Sequence, residues 1–284
     1  GLSLNGFIPV MVHQRVDFFM LAMDQLINGA AKYHYMYGSK LSVPITIRLI
    51  IGRGWGQGPT HSQNLQAWFA HIPGLKVVMP SNAQDAKTLL LSAIHDPNPV
   101  IYLEHRWLHN SKGNVSKREI VEKLGKAKVL KKGKNITVIS MSYMTVESMR
   151  AAIFLESKLN ISIEVIDLRS IKPIDWEIIF KSVKKTGRVL VVDTGYTTGS
   201  VAGEIIARIM IDNFRDIKSP PARLAMPDVP EPTSFALTKN FYVDAKDIAE
   251  KILHILSLNT SVLKNGFKKN KNHDVPDEYF KGPF

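Results

Sequence analysis

The 284-residue sequence contains no cysteine. That excludes disulfides, thiolate metal sites and cysteine nucleophiles, and it fits a cytoplasmic protein. Acidic residues are in short supply, with 25 Asp and Glu against 37 Lys and Arg, for a formal net charge of +12. Such an excess raises nucleic acid or an acidic partner as a possibility, but its placement argues otherwise. Residues 112–134 hold nine Lys and Arg against two Glu, and KNGFKKNKN near the C-terminus holds a second group. No aromatic residues interleave with the first run, as a base-stacking platform requires. The charge reads as a solvated linker and tail, so no nucleic-acid partner is expected. Long apolar runs are also missing. The longest are strand-length, far below the roughly 18 residues of a membrane span, so no transmembrane helix is expected. The first ten residues lack the basic and apolar regions of a signal peptide, and the chain is expected to begin in mid-domain.

The hydrophobic content of 45% and charged content of 22% are those of a globular protein, and the length suggests two domains. FIPVMV at 7–12 reads as a buried strand. In residues 17–32, Phe18, Ala22, Leu26 and Ala30 recur at about four-residue spacing and predict a helix with that face inward. The nearly all-apolar residues 43–51 read as a strand covered on both faces. GRGWGQGP follows, with glycine at 52, 54, 56 and 58. Thr60 is placed to cap a helix over 61–71. PGLKVVMP, the helix SNAQDAKTLLLSAIHD and the strand PVIYLEH complete a strand–helix alternation, the mark of a parallel α/β sheet.

Residues 113–125 read as a linker, with an edge strand near GKAKVL. The alternation then resumes through NITVISMS, TVESMRAAIFLESKL, ISIEVIDLR, IDWEIIFKSVKKTG, RVLVVDTG, SVAGEIIARIMIDNF, ARLAMP and VDAKDIAEKILHIL. The expected fold is therefore α/β in two domains, each a mostly parallel sheet covered by helices. They occupy residues 1–112 and 126–258, and 259–284 form a basic tail without periodicity, expected to be mobile or held by a partner.

Several residues could carry chemistry. The glycine loop follows neither the dinucleotide GxGxxG pattern nor a Walker loop, and it reads either as a tight turn or as a ligand-facing loop. His61, where that loop becomes helix, reads either as a cap or as a catalytic group at the carboxyl end of a parallel strand. The histidines show no HExxH pair, so zinc is not expected. The helix stop AIHDPNP could hold a hard cation through Asp96, Asn98 and exposed carbonyls, or simply end the helix. Asp193, ending RVLVVD, reads as a cap or as a ligand contact. No paired-carboxylate, Ser-His-Asp or Cys-His constellation can be assembled.

The collinear set PxxIRxxxGxGxGxGPTHSQxxxAWFxxxPGLKVVxP, DAKxLLxSAIxDxNPVIYLEH, IEVIDLRSIKPID and RVLVVDTG resembles the beta subunits of thiamine-diphosphate-dependent 2-oxoacid dehydrogenases and the wider transketolase group. The likeness runs from residue 1 to about 258. It implies an N-terminally incomplete transketolase-like pyrimidine-binding domain followed by a transketolase C-terminal domain. Phe18 matches the aromatic position that stacks on the cofactor's aminopyrimidine, and His61 matches the active-site histidine. Ile45, Ala93, Ile94, Asp96 and Asn98 match a potassium site built mainly from carbonyl oxygens.

The same resemblance implies thiamine diphosphate shared with an alpha subunit that holds the magnesium. It also implies an α2β2 assembly with a second beta copy, and an acyltransferase core as a further partner. The chain departs from the family's pattern in three places. The family's cofactor-activating glutamate would lie upstream of Gly1. Val12, His13 and Arg15 occupy a stretch where the family often has an acidic residue and aromatics. No GDG-plus-Asn diphosphate motif occurs, and in the beta-subunit arrangement the resemblance implies, an alpha subunit supplies it. These leave open a stand-alone half of a split transketolase-type ketol transferase, or a non-catalytic relative acting as an interaction subunit.

Overall fold

The computed structural model describes residues 1–54, 56–267, 274–276 and 280. Among them lie ten strands: β1 (Val10–His13), β2 (Thr46–Ile51), β3 (Lys76–Val78), β4 (Val100–His105), β5 (Lys128–Lys131), β6 (Ile136–Ser140), β7 (Ile163–Asp167), β8 (Ser170–Lys172), β9 (Val189–Tyr196) and β10 (Ala222–Met226). They form two five-stranded sheets, ordered β1-β2-β4-β3-β8 and β10-β9-β6-β7-β5. Every pairing is parallel except β3 with β8 and β5 with β7, which are antiparallel edge pairings. The helices are α1 (Val16–Phe19), α2 (Ala31–Met36), α3 (Gln66–His71), α4 (Ala83–Ile94), α5 (Tyr143–Leu159), α6 (Trp176–Thr186), α7 (Val201–Asp212) and α8 (Ala245–Ile255). The expected α/β architecture of two mostly parallel, helix-covered sheets is thus observed.

The central strands β2, β4, β6, β7 and β9 are buried almost throughout, which is why their sequences are continuous Val, Ile and Leu rather than alternating. The two sheets are not separately cored. One apolar cluster runs from Leu49, Val77 and Leu103 of the first sheet to Ile139, Ile166 and Val191 of the second. The short β8, which the sequence reading missed, extends this connection. It leaves the second unit after β7 and pairs with β3, Val77 opposite Lys172 and Val78 opposite Ser170.

Three local expectations fail for tertiary reasons. FIPVMV is not buried, because β1 is an edge strand whose Val10, Met11 and Val12 are exposed. The helix expected over 17–32 is broken into α1, a 3₁₀ turn at Met20–Ala22, a π turn at Gln25–Ala30 and α2. These changes of pitch rotate the apolar stripe. Phe19, Leu26 and Ala31 go inward, and Phe18 stays 50% exposed. The helix expected over 61–71 behind a Thr60 cap starts only at Gln66, because Gln63 bonds to Asp17 and Gly52 instead of joining a first helical turn. Most of the expected mobile tail lies outside the described residues. Its described part includes a 3₁₀ turn at Ser261–Asn265 with Leu263 buried, and a buried Asp274.

Candidate active site

The site grows from the carboxyl end of β2. The parallel register sets Ile51 beside His105 of β4, and the chain then turns away at Gly52 with φ +78°. A side chain there would meet the His105 ring, since a Cβ would lie 2.5 Å from Nε2. Gly58 is constrained in the same way, by Thr233 Oγ1 at 2.1 Å from its would-be Cβ. These glycines admit packing against other side chains, so at both positions the loop is a tight structural turn rather than an open phosphate cradle.

Backbone and side-chain bonds close the loop. Gly52 N donates to Gln63 O at 3.2 Å, and His61 N donates to Gly58 O at 3.1 Å. Arg15 Nη1 donates to Gly52 O at 2.7 Å, and Nη2 reaches Gln57 Oε1. Burial, with Arg106 adding repulsion, pulls the Arg15 pKa down to about 10, so the group remains a cation at neutral pH.

Phe18 and His61, assigned to one site by resemblance, come together. Their rings meet edge to face with centroids 5.1 Å apart. Thr60 Oγ1 lies 3.0 Å from His61 Nδ1. With the hydroxyl as donor, Nδ1 accepts and the proton sits on Nε2. The residue before Phe18 anchors the segment after His61, since Asp17 Oδ1 accepts from Gln63 Nε2 at 2.8 Å and Gln63 N at 3.4 Å.

Asp193 supports the arrangement from the second sheet. Its Oδ1 accepts from Gln66 Nε2 at 2.6 Å and Gly195 N at 3.0 Å, and its Oδ2 accepts from Ala202 N at 3.1 Å in the first turn of α7. Its capping role is therefore real, and it also ties α3 to β9. Burial raises its pKa, and these three donors pull the other way.

Two functional candidates escaped the sequence reading. Asp17 Oδ2 is buried without a hydrogen-bond partner, and Glu231 is only 1% exposed, with the Tyr196 hydroxyl as its polar neighbour. Burial pushes the Glu231 carboxyl up, the nearby Tyr196 hydroxyl favours its charged form, and Asp17 raises it further. The only sequence signals were an acid adjoining Phe18 and an acid between two prolines in PEP.

The AIHDPNP turn is already provided with a cation. Lys76 Nζ pairs with Asp96 Oδ2, and Asp96 Oδ1 accepts from Asn98 N at 3.0 Å. The Ile45 carbonyl accepts from Val100 N and the Ala93 carbonyl from Asp96 N. This turn lies before the strand β4, at its amino end, whereas His61 follows the carboxyl end of β2, so the two are not brought together.

Thiamine diphosphate, the cofactor the resemblance implies, fits this chain at one end only. The half-exposed Phe18 ring beside His61 suits a flat heteroaromatic ring. No group of three or more His, Asp or Glu able to hold a metal occurs among the described residues. Two adjoining grooves are a cleft of about 390 Å³ lined by Met23, Ile27, Trp68 and Tyr196, and a space of about 710 Å³ past Lys172, Trp176 and Arg223. Neither is lined by Phe18 or His61. Among the described residues no helix is long and apolar enough to cross a membrane.

The chain matches the family models "Transketolase, pyrimidine binding domain" over residues 1–111 and "Transketolase, C-terminal domain" over 125–248. It is 40% identical over 261 residues to the mitochondrial pyruvate dehydrogenase E1 component subunit beta of Drosophila melanogaster, covering 90% of this chain and 71% of the relative. It belongs to the E1 beta-subunit family of the 2-oxoacid dehydrogenases. The corresponding subunit of Rhizobium meliloti is also 40% identical, over 89% of this chain, but this chain spans only 55% of that relative's length. Among solved structures, the fold resembles a split-gene transketolase, an inactive beta4 tetramer, with a TM-score of 0.72. That match has 24% identity and covers 91% of this chain and 79% of the other. The Campylobacter jejuni transketolase has a TM-score of 0.62 at 14% identity, covering 87% of this chain and 36% of the other. At these identities the structural matches speak for the fold alone.

Proposed function

We propose that this chain is the beta-type subunit of a thiamine-diphosphate-dependent enzyme that decarboxylates a 2-oxoacid oxidatively and transfers the acyl group. The carrying observation is the Phe18–His61 pair, 5.1 Å apart and half open, in a chain of this family that lacks a metal-holding cluster among its described residues. Thiamine diphosphate, when bound, supplies the carbanion-stabilising centre. Phe18 offers its free face to the aminopyrimidine. His61 holds or delivers a proton at Nε2, its orientation set by Thr60 at Nδ1 and by the Gly52–Gln63 closure behind it. An alpha-type subunit supplies the diphosphate and magnesium site. The exposed apolar Phe7, Ile8, Met11, Val12 and Leu21 give partner subunits of an α2β2 assembly a surface to cover. An acyltransferase core is the expected acceptor of the acyl group, and the cytoplasm the expected compartment.

We further propose a potassium ion at Ile45, Ala93, Ile94, Asp96 and Asn98, which Lys76 must leave Asp96 to admit. Potassium titration followed by thermal melting tests that point. Calorimetric titration of thiamine diphosphate and magnesium into the chain alone, and into its mixture with an alpha-type subunit, tests the main reading. Binding and 2-oxoacid turnover should require the mixture. A mixture that binds cofactor but turns over only ketol donors would replace the dehydrogenase reading with the transketolase-type one.

A further inference from the structure

Arg53, the second residue of the glycine loop, is 1% exposed, and its guanidinium is held on several sides. Nη1 donates to Gln57 O at 2.8 Å and Pro232 O at 2.6 Å, and Nη2 donates to Thr233 O at 3.4 Å. Its ion-pair partner among the described residues is Asp274, whose Oδ2 lies 2.9 Å from Nη2. The Tyr242 ring faces the guanidinium at 5.8 Å from its centroid. Three segments far apart in sequence thus meet on one side chain.

We propose that Arg53 is a positioning residue for the glycine loop and that Asp274, in the C-terminal segment, is the counter-charge that holds it there. A buried cation is costly unless paired, and the three carbonyls bring dipoles but no full charge. Asp274 therefore completes a clasp that the loop and the 232–233 segment cannot close alone. The clasp reaches His61 by a short route. Arg53 grips Gln57 O, Gly58 packs on Thr233, and Gly58 O accepts from His61 N at 3.1 Å. Pro232 and Thr233 also follow Glu231, so the same guanidinium fixes the backbone beside that buried carboxyl. Asp274 lies beyond residue 248, where the match to the C-terminal family model ends. The counter-charge is accordingly supplied from outside the part of the chain that matches the family model.

Amide hydrogen exchange on the full chain tests the clasp without relying on activity. Asp274→Asn should speed exchange in residues 52–63 by about tenfold or more, because one charge-assisted bond is lost locally. Strands β6 and β7 should remain unchanged, and Asp274→Glu should restore the loop. Arg53→Lys keeps the charge but loses the fork, and should give partial loosening. Unchanged loop exchange in Asp274→Asn, or acceleration spread evenly over both sheets, would overturn the proposal. Its consequence for turnover rests on the function proposed above. In the complex with an alpha-type subunit, Asp274→Asn should lower kcat with KM nearly unchanged. His61→Ala should lower kcat and leave loop exchange as it was. If His61→Ala leaves kcat intact, the functional reading fails while the exchange result still decides the clasp.

Discussion

Gln66 Nε2 donates to Asp193 Oδ1 at 2.6 Å, joining the first residue of α3 to the interior of β9 across the junction of the two sheets. Both side chains are buried, and Gly195 leaves no room between them, since a Cβ there would lie 2.6 Å from the same nitrogen. The position of α3, which follows the His61 segment, is thus set from the second sheet.

Replacing Gln66 by Leu removes the donor and leaves Asp193 buried with its two backbone donors. The expected cost is about 1–3 kcal/mol of folding free energy, the range for an unsatisfied buried acceptor. Chemical denaturation should register it. A loss within error would mean that the two backbone amides suffice.

In the reconstituted complex, His61→Ala should reduce turnover by about 10²–10⁴-fold, the contribution typical of a general acid or base. Cofactor affinity should hardly change, because Phe18 keeps its ring. Unchanged turnover would remove His61 from the mechanism.

Gly52→Ala should destabilise far more than Gly56→Ala. Both positions have positive φ, +78° and +67°, so both variants incur the backbone cost of roughly 1–2 kcal/mol. Only at Gly52 does the new methyl also meet a buried ring, that of His105. Comparing the two melting temperatures isolates that clash, and equal losses would show that His105 can move aside.

Acid should weaken the fold in part through His105. Burial, with His109 and Arg15 adding repulsion, pulls its pKa down to about 3. An unfolded histidine titrates near 6.5. Between those values the unfolded chain takes up a proton that the folded site refuses, so this contribution to stability falls as pH drops from about 6.5. From pH 7 to pH 5 the loss is roughly 2 kcal/mol, at about 1.4 kcal/mol per unit below the unfolded pKa. Denaturation at the two pH values should show a difference smaller by about that amount in His105→Asn.

The composition, the apolar runs of β2, β4, β6, β7 and β9 and the helical stretches between them were enough to read two parallel, helix-covered sheets. Strand burial and period are properties of consecutive residues, and a single sequence displays them. The motif around His61 was also legible, and its resemblance to the family brought in Phe18.

Contacts across long sequence separation decided the rest. Whether Phe18 or Phe19 shares a face with Leu26 depends on the 3₁₀ turn at Met20–Ala22 and the π turn at Gln25–Ala30, and a periodicity count assumes a uniform pitch. The glycines of the loop carry no mark of purpose in the sequence. The His105 ring and the Thr233 hydroxyl, both brought to the loop by tertiary packing, make Gly52 and Gly58 structural. The burial of Glu231 and the pairing of Arg53 with Asp274 join residues up to 221 positions apart. Their energetics come from desolvation, which exists only once the chain has folded around them.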